Sequence, residues 1–192
     1  ISDTLRIIRF PVEFERGPYW FELDRVMTKN ITLDIFESLP VPERSAFIEY
    51  KRSLPLGLGE EWIKHEGPYS PGLLNYLSEQ SEHYDYFIFM TYLYPTTYYG
   101  IDLIRDASKV FFIPTYHDES PAYLANFGKY KQFRHLFLTN AEKNIAERNL
   151  YHEQVQNSII GFGIQDRLEE FSSSPAENSE KYLLYAGRIE VA

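Results

Sequence analysis

The segment FFIPTYHDES, residues 111–120, joins an apolar run to a histidine and two carboxylates. Its first three residues favour a β-strand, and Pro114 removes the amide that a strand would need to continue pairing. His117, Asp118 and Glu119 would therefore follow the carboxyl end of the strand. Because ligands of open parallel sheets bind beyond that edge, the segment predicts a binding site there.

The polar trio allows two interpretations. His117 can act as an acid, a base or a hydrogen-bond donor near neutral pH, while the adjacent carboxylates hold its tautomer or bind substrate hydroxyls. Alternatively, Asp118 or Glu119 merely caps a helix that begins after the trio. A metal site is disfavoured, because adjacent residues do not easily converge on one ion.

Short apolar segments alternate with helix-forming segments along the chain, which predicts an α/β fold with a parallel sheet. The continuous apolar run at 86–92 also predicts a strand that is buried on both faces. The predicted strands are residues 5–12, 86–92, 109–115, 135–139 and 157–163.

Two helix starts are readable from the sequence. Ser70 followed by Pro71 predicts an N-cap and a first helical turn. Thr139 with Glu142 three residues later fits a capping box, in which each residue satisfies an amide of the other. His135 precedes this second helix at the start of a strand, where we expect a solvated or capping side chain.

The run of residues 92–99, YLYPTTYY, follows the strand at 86–92 and could bind a sugar. Aromatic faces stack on sugar C–H surfaces, and hydroxyl groups bond to sugar hydroxyls. The alternative is that these side chains pack between sheet and helix. The candidate ligand-binding residues in this run are Tyr92, Tyr94 and Thr97.

Near the C-terminal end, Gly187 and Arg188 follow the apolar run YLLYA. A flexible turn with a permanent cation suits bidentate contact with a phosphate, and an ordinary surface arginine is the alternative. The polar stretch 171–180 predicts a linker. We therefore expect one domain at 1–170, the linker at 171–180 and the first strand of another domain at 181–192. Both ends look like cuts through a larger protein.

Composition excludes several classes of function. The net charge is −9 without a basic stripe, so nucleic acid is not an expected partner. The absence of cysteine rules out disulfides, thiolate nucleophiles and cysteine-ligated zinc. No apolar run is long enough for a membrane span, and a cytoplasmic location is the simplest expectation.

Taken together, the segments resemble bacterial GT-B glycosyltransferases of the retaining family 4 type. The specific parts are GPYSPGLLNYL at 67–77, PTYHDES at 114–120 and YLLYAGRIE at 182–190. Enzymes of this family have two Rossmann-like domains that face each other across a cleft. The resemblance implies that this chain is mainly the N-terminal, acceptor-binding domain.

The resemblance also implies roles for individual residues. His117 would position the reacting sugar without acting as a covalent nucleophile, and Asp118, Glu119 and the tyrosines near Tyr92 would line the acceptor side. Arg188 and Gly187 would contact the donor diphosphate. The expected partners are a nucleotide-sugar donor and a glycan or lipid-linked acceptor, which would bring the protein to the inner face of the membrane. The reaction would need neither a metal nor another cofactor.

The sequence departs from the family pattern in ways that keep other functions open. The first strand and glycine-rich loop of the family are not recognisable, the lysine expected after GRIE is absent, and Gln165 stands where aspartate is common. A non-catalytic carbohydrate-binding or scaffold module is therefore the main alternative. A hydrolase that uses His117 is less well supported, because the sequence has neither a Gly-x-Ser-x-Gly elbow nor a cysteine.

Overall fold

The computed structural model describes residues 6–161 of the chain, which form an α/β fold. The linker expected at 171–180, the strand expected at 181–192, and Gly187 and Arg188 lie outside these residues. The helices are α1 Pro18–Thr28, α2 Leu33–Ser38, α3 Val41–Ser53, α4 Leu56–Glu66, α5 Pro71–Gln80, α6 Pro95–Gly100 and α7 Asn140–Asn144. The strands are β1 Phe87–Met90, β2 Val110–Ile113, β3 Arg134–Phe137 and β4 Asn157–Ile159.

The four strands form one sheet in the order β1-β2-β3-β4, and each neighbouring pair is parallel. The prediction of a parallel α/β sheet is therefore confirmed. Consecutive parallel strands have their carboxyl ends at the same edge. The segments that follow β1 and β2, which include Tyr92 and Glu119, consequently lie side by side at this carboxyl edge.

The helix starts agree with the capping signals in the sequence. The Ser70 hydroxyl accepts a hydrogen bond from the Leu73 amide at the start of α5, and Thr139 accepts one from the Glu142 amide at the start of α7. The Glu142 carboxylate, however, accepts from the amides of Leu138 and Tyr116. Among the described contacts, Glu142 thereby links α7 to the loop after β2, and only the Thr139 half of the predicted capping box is formed.

The core consists largely of aromatic side chains between the sheet and the helices. Phe112 of β2 is fully buried, and its ring centroid lies 4.5 Å from that of Tyr130. The Tyr130 hydroxyl donates a hydrogen bond to the carbonyl of Tyr92. This contact fixes the loop after β1 to the core, because a buried hydroxyl needs a partner.

His135 is a buried residue of β3, so the expectation of a solvated or capping side chain is wrong. Its Nδ1 lies 2.9 Å from the Phe133 carbonyl, and its Nε2 lies 3.2 Å from the Tyr151 hydroxyl. Tyr151 also contacts the hydroxyl of Tyr116. Burial lowers the pKa of His135 to about 4, so the imidazole is neutral at pH 7 and both ring nitrogens are satisfied.

Two strand predictions differ from the structure. Residues 6–12 form no strand, and the nearby extended segment makes only a single antiparallel bridge between Phe14 and Tyr69. Strand β1 is not buried on both faces, because Ile88 is 66% exposed and Met90 is 55% exposed. Apolar composition alone did not reveal that one face of β1 is exposed among the described residues.

One face of the described sheet is poorly covered. Ile88 pairs in register with Phe111, and Met90 pairs with Ile113. Side chains alternate along a strand, so these four residues share one face, which we call the open sheet face. Phe87, Phe89, Val110 and Phe112 point to the opposite face and pack in or against the core. No helix between residues 6 and 161 has the length and apolar character needed to cross a membrane.

Candidate functional site

Two threonines at the carboxyl edge have left-handed backbone conformations. Thr91 follows β1 with φ of 70°, and Thr115 follows β2 with φ of 55°. Their side-chain oxygens lie 3.4 Å apart. A β-branched residue in this region is strained by about 1–2 kcal/mol, and such strain is concentrated at functional sites. The adjacent strained residues single out this edge as a candidate site.

The three polar residues after Thr115 point to different surroundings. Asp118 forms an ion pair of 2.8 Å with Arg44 of α3 and accepts a hydrogen bond from Tyr123. Glu119 accepts a hydrogen bond of 2.8 Å from the Tyr92 hydroxyl. His117 is exposed and has no hydrogen bond or ion pair within residues 6–161. The trio does not converge on one point, and only His117 is left free for a ligand on the outer surface.

The capping interpretation of the trio is not supported by the described contacts. The segment after it, Ser120–Tyr123, is a short 3₁₀ helix, and Glu119 makes no side-chain capping hydrogen bond to it. Each carboxylate instead has a partner that is distant in sequence, Arg44 for Asp118 and Tyr92 for Glu119. Their positions are therefore fixed by tertiary contacts with Arg44 and Tyr92.

The other candidates in the loop after β1 have different environments. Tyr94 is partly exposed and remains available to a ligand. Thr97 is buried and donates a hydrogen bond of 3.0 Å to the Met90 carbonyl, so it holds α6 against the end of β1. The Tyr92 ring is buried in the core, as the packing interpretation predicts, while its hydroxyl reaches Glu119.

Helices α1 and α4 bring two tryptophans beside Glu119. Trp20 and Asp24 lie one turn apart on α1, and Trp62 and Glu66 lie one turn apart on α4. The indole nitrogen of Trp62 donates a hydrogen bond of 3.0 Å to Asp24, and the two indole rings are 5.7 Å apart. These contacts fix the two helices to each other on the side that faces the carboxyl edge.

A glycine at the end of α4 allows the chain around Glu15 and Arg16 to pass close to this helix. Gly67 has φ of 66°, and a Cβ there would lie 2.5 Å from the Cα of Glu15. Only glycine allows this close approach. The neighbouring Arg16 then forms an ion pair with the fully buried carboxylate of Glu66, while its guanidinium stacks 4.6 Å from the Trp20 ring.

These residues enclose a cavity of about 190 Å³, which we call the indole cavity. This volume is below the roughly 300–1,000 Å³ of sites for drug-sized ligands, so the cavity suits a smaller molecule. Two indoles, three carboxylates, a guanidinium and three hydroxyls, two of them from Thr28 and Thr32, are the polar and aromatic groups of its lining. The other groups belong to Trp20, Trp62, Asp24, Glu66, Glu119, Arg16 and Ser120.

Three buried polar atoms, which belong to residues that line the indole cavity, have no hydrogen-bond partner. They are Trp20 Nε1, Glu66 Oε2 and Ser120 Oγ, and they are the buried side-chain atoms without a partner within residues 6–161. Buried polar groups are almost always paired, and an unpaired one costs about 1–3 kcal/mol. All three belong to residues around one cavity, which makes this cavity the candidate ligand site.

Burial and neighbouring carboxylates shift the pKa values of Glu66, which lines the cavity, and of Tyr92, which bonds to Glu119. Burial raises the pKa of Glu66, and Asp24 and Glu119 raise it further, while the Arg16 guanidinium opposes the shift. Burial and the adjacent Glu119 carboxylate raise the pKa of Tyr92, so its hydroxyl stays protonated and donates to Glu119. Among residues 6–161 no group of three acidic or histidine side chains is arranged to hold a metal ion.

The sequence-based candidates missed most of the indole cavity. Glu119 was identified from its position after β2, but Trp20, Trp62 and Glu66 were not. One signal was present, because a tryptophan precedes an acidic residue by four positions in both α1 and α4. Comparisons with models of protein families, with curated protein sequences and with solved structures found no match.

Proposed function

We propose that this chain is the acceptor-binding, Rossmann-like half of a retaining GT-B glycosyltransferase. The observation that carries the proposal is the indole cavity with its three unpaired polar atoms, located beside the carboxyl edge of a parallel sheet. Aromatic rings with carboxylates and hydroxyls match a sugar, which offers C–H faces and many hydrogen-bonding groups. Parallel α/β sheets bind ligands at this edge.

The sugar acceptor would enter the cavity between α1, α4 and the loop after β2. Glu119, held by Tyr92, accepts hydrogen bonds from the acceptor hydroxyls, and Trp20 and Ser120 offer unpaired groups. The exposed His117, two residues from Glu119, positions the reacting sugar. Asp118 supports this loop through Arg44. Arg188 and Gly187 would hold the donor diphosphate.

Catalysis in this proposal is chiefly positioning and electrostatic stabilisation of the leaving diphosphate. The sugar is transferred from a nucleotide-sugar with retention of configuration and without a metal. A glycan or lipid-linked acceptor would serve as substrate, and a lipid-linked one would draw the protein to the inner face of the membrane.

The test follows nucleotide release by the complete gene product from a panel of UDP-, GDP-, dTDP- and ADP-sugars, with mixed glycan acceptors. We expect release from one donor, reduced at least tenfold by His117→Ala and by Glu119→Gln. His83→Ala is the matched control, because His83 is an exposed histidine of a short 3₁₀ helix. Equal rates for all variants would remove both residues from the proposed site.

A non-catalytic carbohydrate-binding module is the second candidate. It is favoured by the fact that the indole cavity supplies binding groups, while His117 has no hydrogen bond or ion pair among the described residues to orient it. Sugar binding without nucleotide release from any donor, and without nucleotide-sugar binding by calorimetry, would support this alternative over the enzyme.

A further inference from the structure

The indole cavity has an excess of negative charge. Asp24, Glu66 and Glu119 line it with one cation, Arg16, so its lining carries a formal charge of −2 when all four groups are ionised. Arg16 is half-exposed and contacts only one oxygen of Glu66. The second oxygen of Glu66 is buried and has no partner within residues 6–161, and Glu66 is one of the residues that line the cavity. Uncompensated buried charge is costly, so the cavity attracts a cation.

The hydrogen-bond inventory of the cavity restricts what that cation is. Glu66 Oε2 needs a donor, the Trp20 N–H needs an acceptor, and the Ser120 hydroxyl can bond to either. A metal ion supplies no acceptor for Trp20, and the carboxylates are not grouped around a metal-binding point. A ligand with an ammonium group next to hydroxyl or ring oxygens carries the donors and acceptors that these three atoms lack.

We propose that the indole cavity binds an amino sugar with a free, protonated amine, whose ammonium group donates to Glu66. This inference rests on the proposed function and specifies the substrate class of its acceptor. The ring oxygen or a hydroxyl group accepts from Trp20, and another hydroxyl bonds to Ser120. An N-acetylated sugar lacks the charge, and a uronic acid has the opposite charge, so both bind more weakly.

Tryptophan fluorescence can report on ligand binding in the cavity. Trp20 and Trp62 are the two tryptophans of the chain, and both line the cavity. Titration of tryptophan fluorescence in the 192-residue chain therefore reports on this place. The ligands are glucosamine, galactosamine and mannosamine, each compared with its parent hexose, its N-acetyl derivative and the corresponding uronic acid. Saturation-transfer NMR on the same samples confirms direct contact.

We expect one amine to bind at least tenfold more tightly than its parent hexose at pH 7, because hydrogen bonds between charged groups are stronger than neutral ones. Glu66→Gln should abolish this preference while neutral hexose binding remains. Glu119→Gln, a second variant, should reduce the preference by removing another charge. Glu79→Gln, an exposed site on α5, is the matched control.

The outcomes separate this inference from the proposed function. Binding of a hexose as tight as that of its amine, or a preference unchanged in Glu66→Gln, would overturn the amine assignment and leave the sugar site intact. Binding of no sugar, by fluorescence and by NMR, would overturn the amine assignment and the acceptor site together. Circular dichroism establishes that each variant is folded.

Discussion

The hydroxyl of Tyr92 donates a hydrogen bond of 2.8 Å to Oε1 of Glu119, joining the loops that follow β1 and β2. Tyr92 is anchored in the core, since its ring centroid lies 4.9 Å from that of Tyr116 and its carbonyl accepts from Tyr130. The contact therefore holds the Glu119 carboxylate, which lines the indole cavity, in a fixed position relative to the core.

Tyr92→Phe tests this contact. The variant keeps the buried ring and removes one hydrogen bond to a charged group, so we expect a loss of about 1.5–3 kcal/mol in the free energy of unfolding. Sugar affinity should fall several-fold, because Glu119 loses its orientation. Urea denaturation and fluorescence titration measure the two effects. Tyr94→Phe is the control, since Tyr94 is partly exposed, and losses of equal size in both variants would contradict the role given to Tyr92.

Thr115→Gly tests the backbone strain at the carboxyl edge. Glycine adopts a φ of 55° without the penalty of about 1–2 kcal/mol that threonine has, and this gain exceeds or balances the entropic cost of glycine. We expect unchanged stability or a gain of up to about 1 kcal/mol in urea denaturation. Ala46→Gly within α3 should instead lose about 1 kcal/mol. Destabilisation of Thr115→Gly to the same extent would mean that the strain is not relieved.

The buried His135 should make the folded protein less stable in acid. Burial lowers its pKa in the folded state to about 4, whereas an unfolded histidine titrates near 6.5. The unfolded state therefore binds more protons between these values, and the folded state loses stability as the pH falls from 6.5 to 4. We expect this group to account for a loss on the order of 3 kcal/mol.

Urea denaturation at several pH values measures the contribution of His135. In His135→Gln this part of the acid sensitivity should disappear, although the variant is less stable at pH 7. His83→Gln should retain the profile of the unaltered protein, because His83 is exposed. An identical slope in His135→Gln and the unaltered protein would show that other groups cause the acid sensitivity.

Replacing the buried Lys51 by an apolar residue should raise the free energy of unfolding. It is buried in α3, and within residues 6–161 its ammonium group has no hydrogen bond or ion pair. Burial lowers its pKa to about 8, so folding at pH 7 confines a charge that prefers water. Lys51→Met keeps most of the unbranched side chain and removes the charged end, and we expect it to raise the free energy of unfolding by up to about 3 kcal/mol.

The gain from Lys51→Met should depend on pH with a defined sign. The unfolded state binds more protons between pH 8 and about 10.4, so the unaltered protein regains stability as the pH rises through this range. Thermal or urea unfolding at pH 7 and at pH 10 should therefore show a smaller difference at the higher pH. Lys29→Met, on an exposed lysine, serves as the control. A constant gain would assign the effect to packing alone.

The sequence was informative wherever local chemistry determines structure. Ser70 with Pro71 predicted the start of α5, and Thr139 predicted the start of α7, because capping involves residues a few positions apart. The strands β1 and β2 were found from their apolar runs. The position of Glu119 at the carboxyl edge followed from the parallel sheet.

The sequence was less informative where contacts join distant residues. The burial of His135 depends on Tyr151 and Phe112, which no local pattern reveals. Thr91 and Thr115 carried no sign of left-handed backbone, since glycine is the residue that normally indicates it. The indole cavity depends on the packing of α1 against α4, which joins residues far apart in sequence. The local pattern related to it was a tryptophan four positions before a carboxylate in each of these helices.

The open sheet face has a consequence for the behaviour of the described part of the chain in concentrated salt. Ile88 and Met90 expose an apolar strip, while the net charge of −9 keeps molecules apart in dilute buffer. Ammonium sulfate screens that repulsion and strengthens apolar contacts. The protein should therefore bind to a phenyl column at moderate sulfate concentration. The variant Ile88→Lys should elute earlier, so the elution position measures the exposure of this apolar strip.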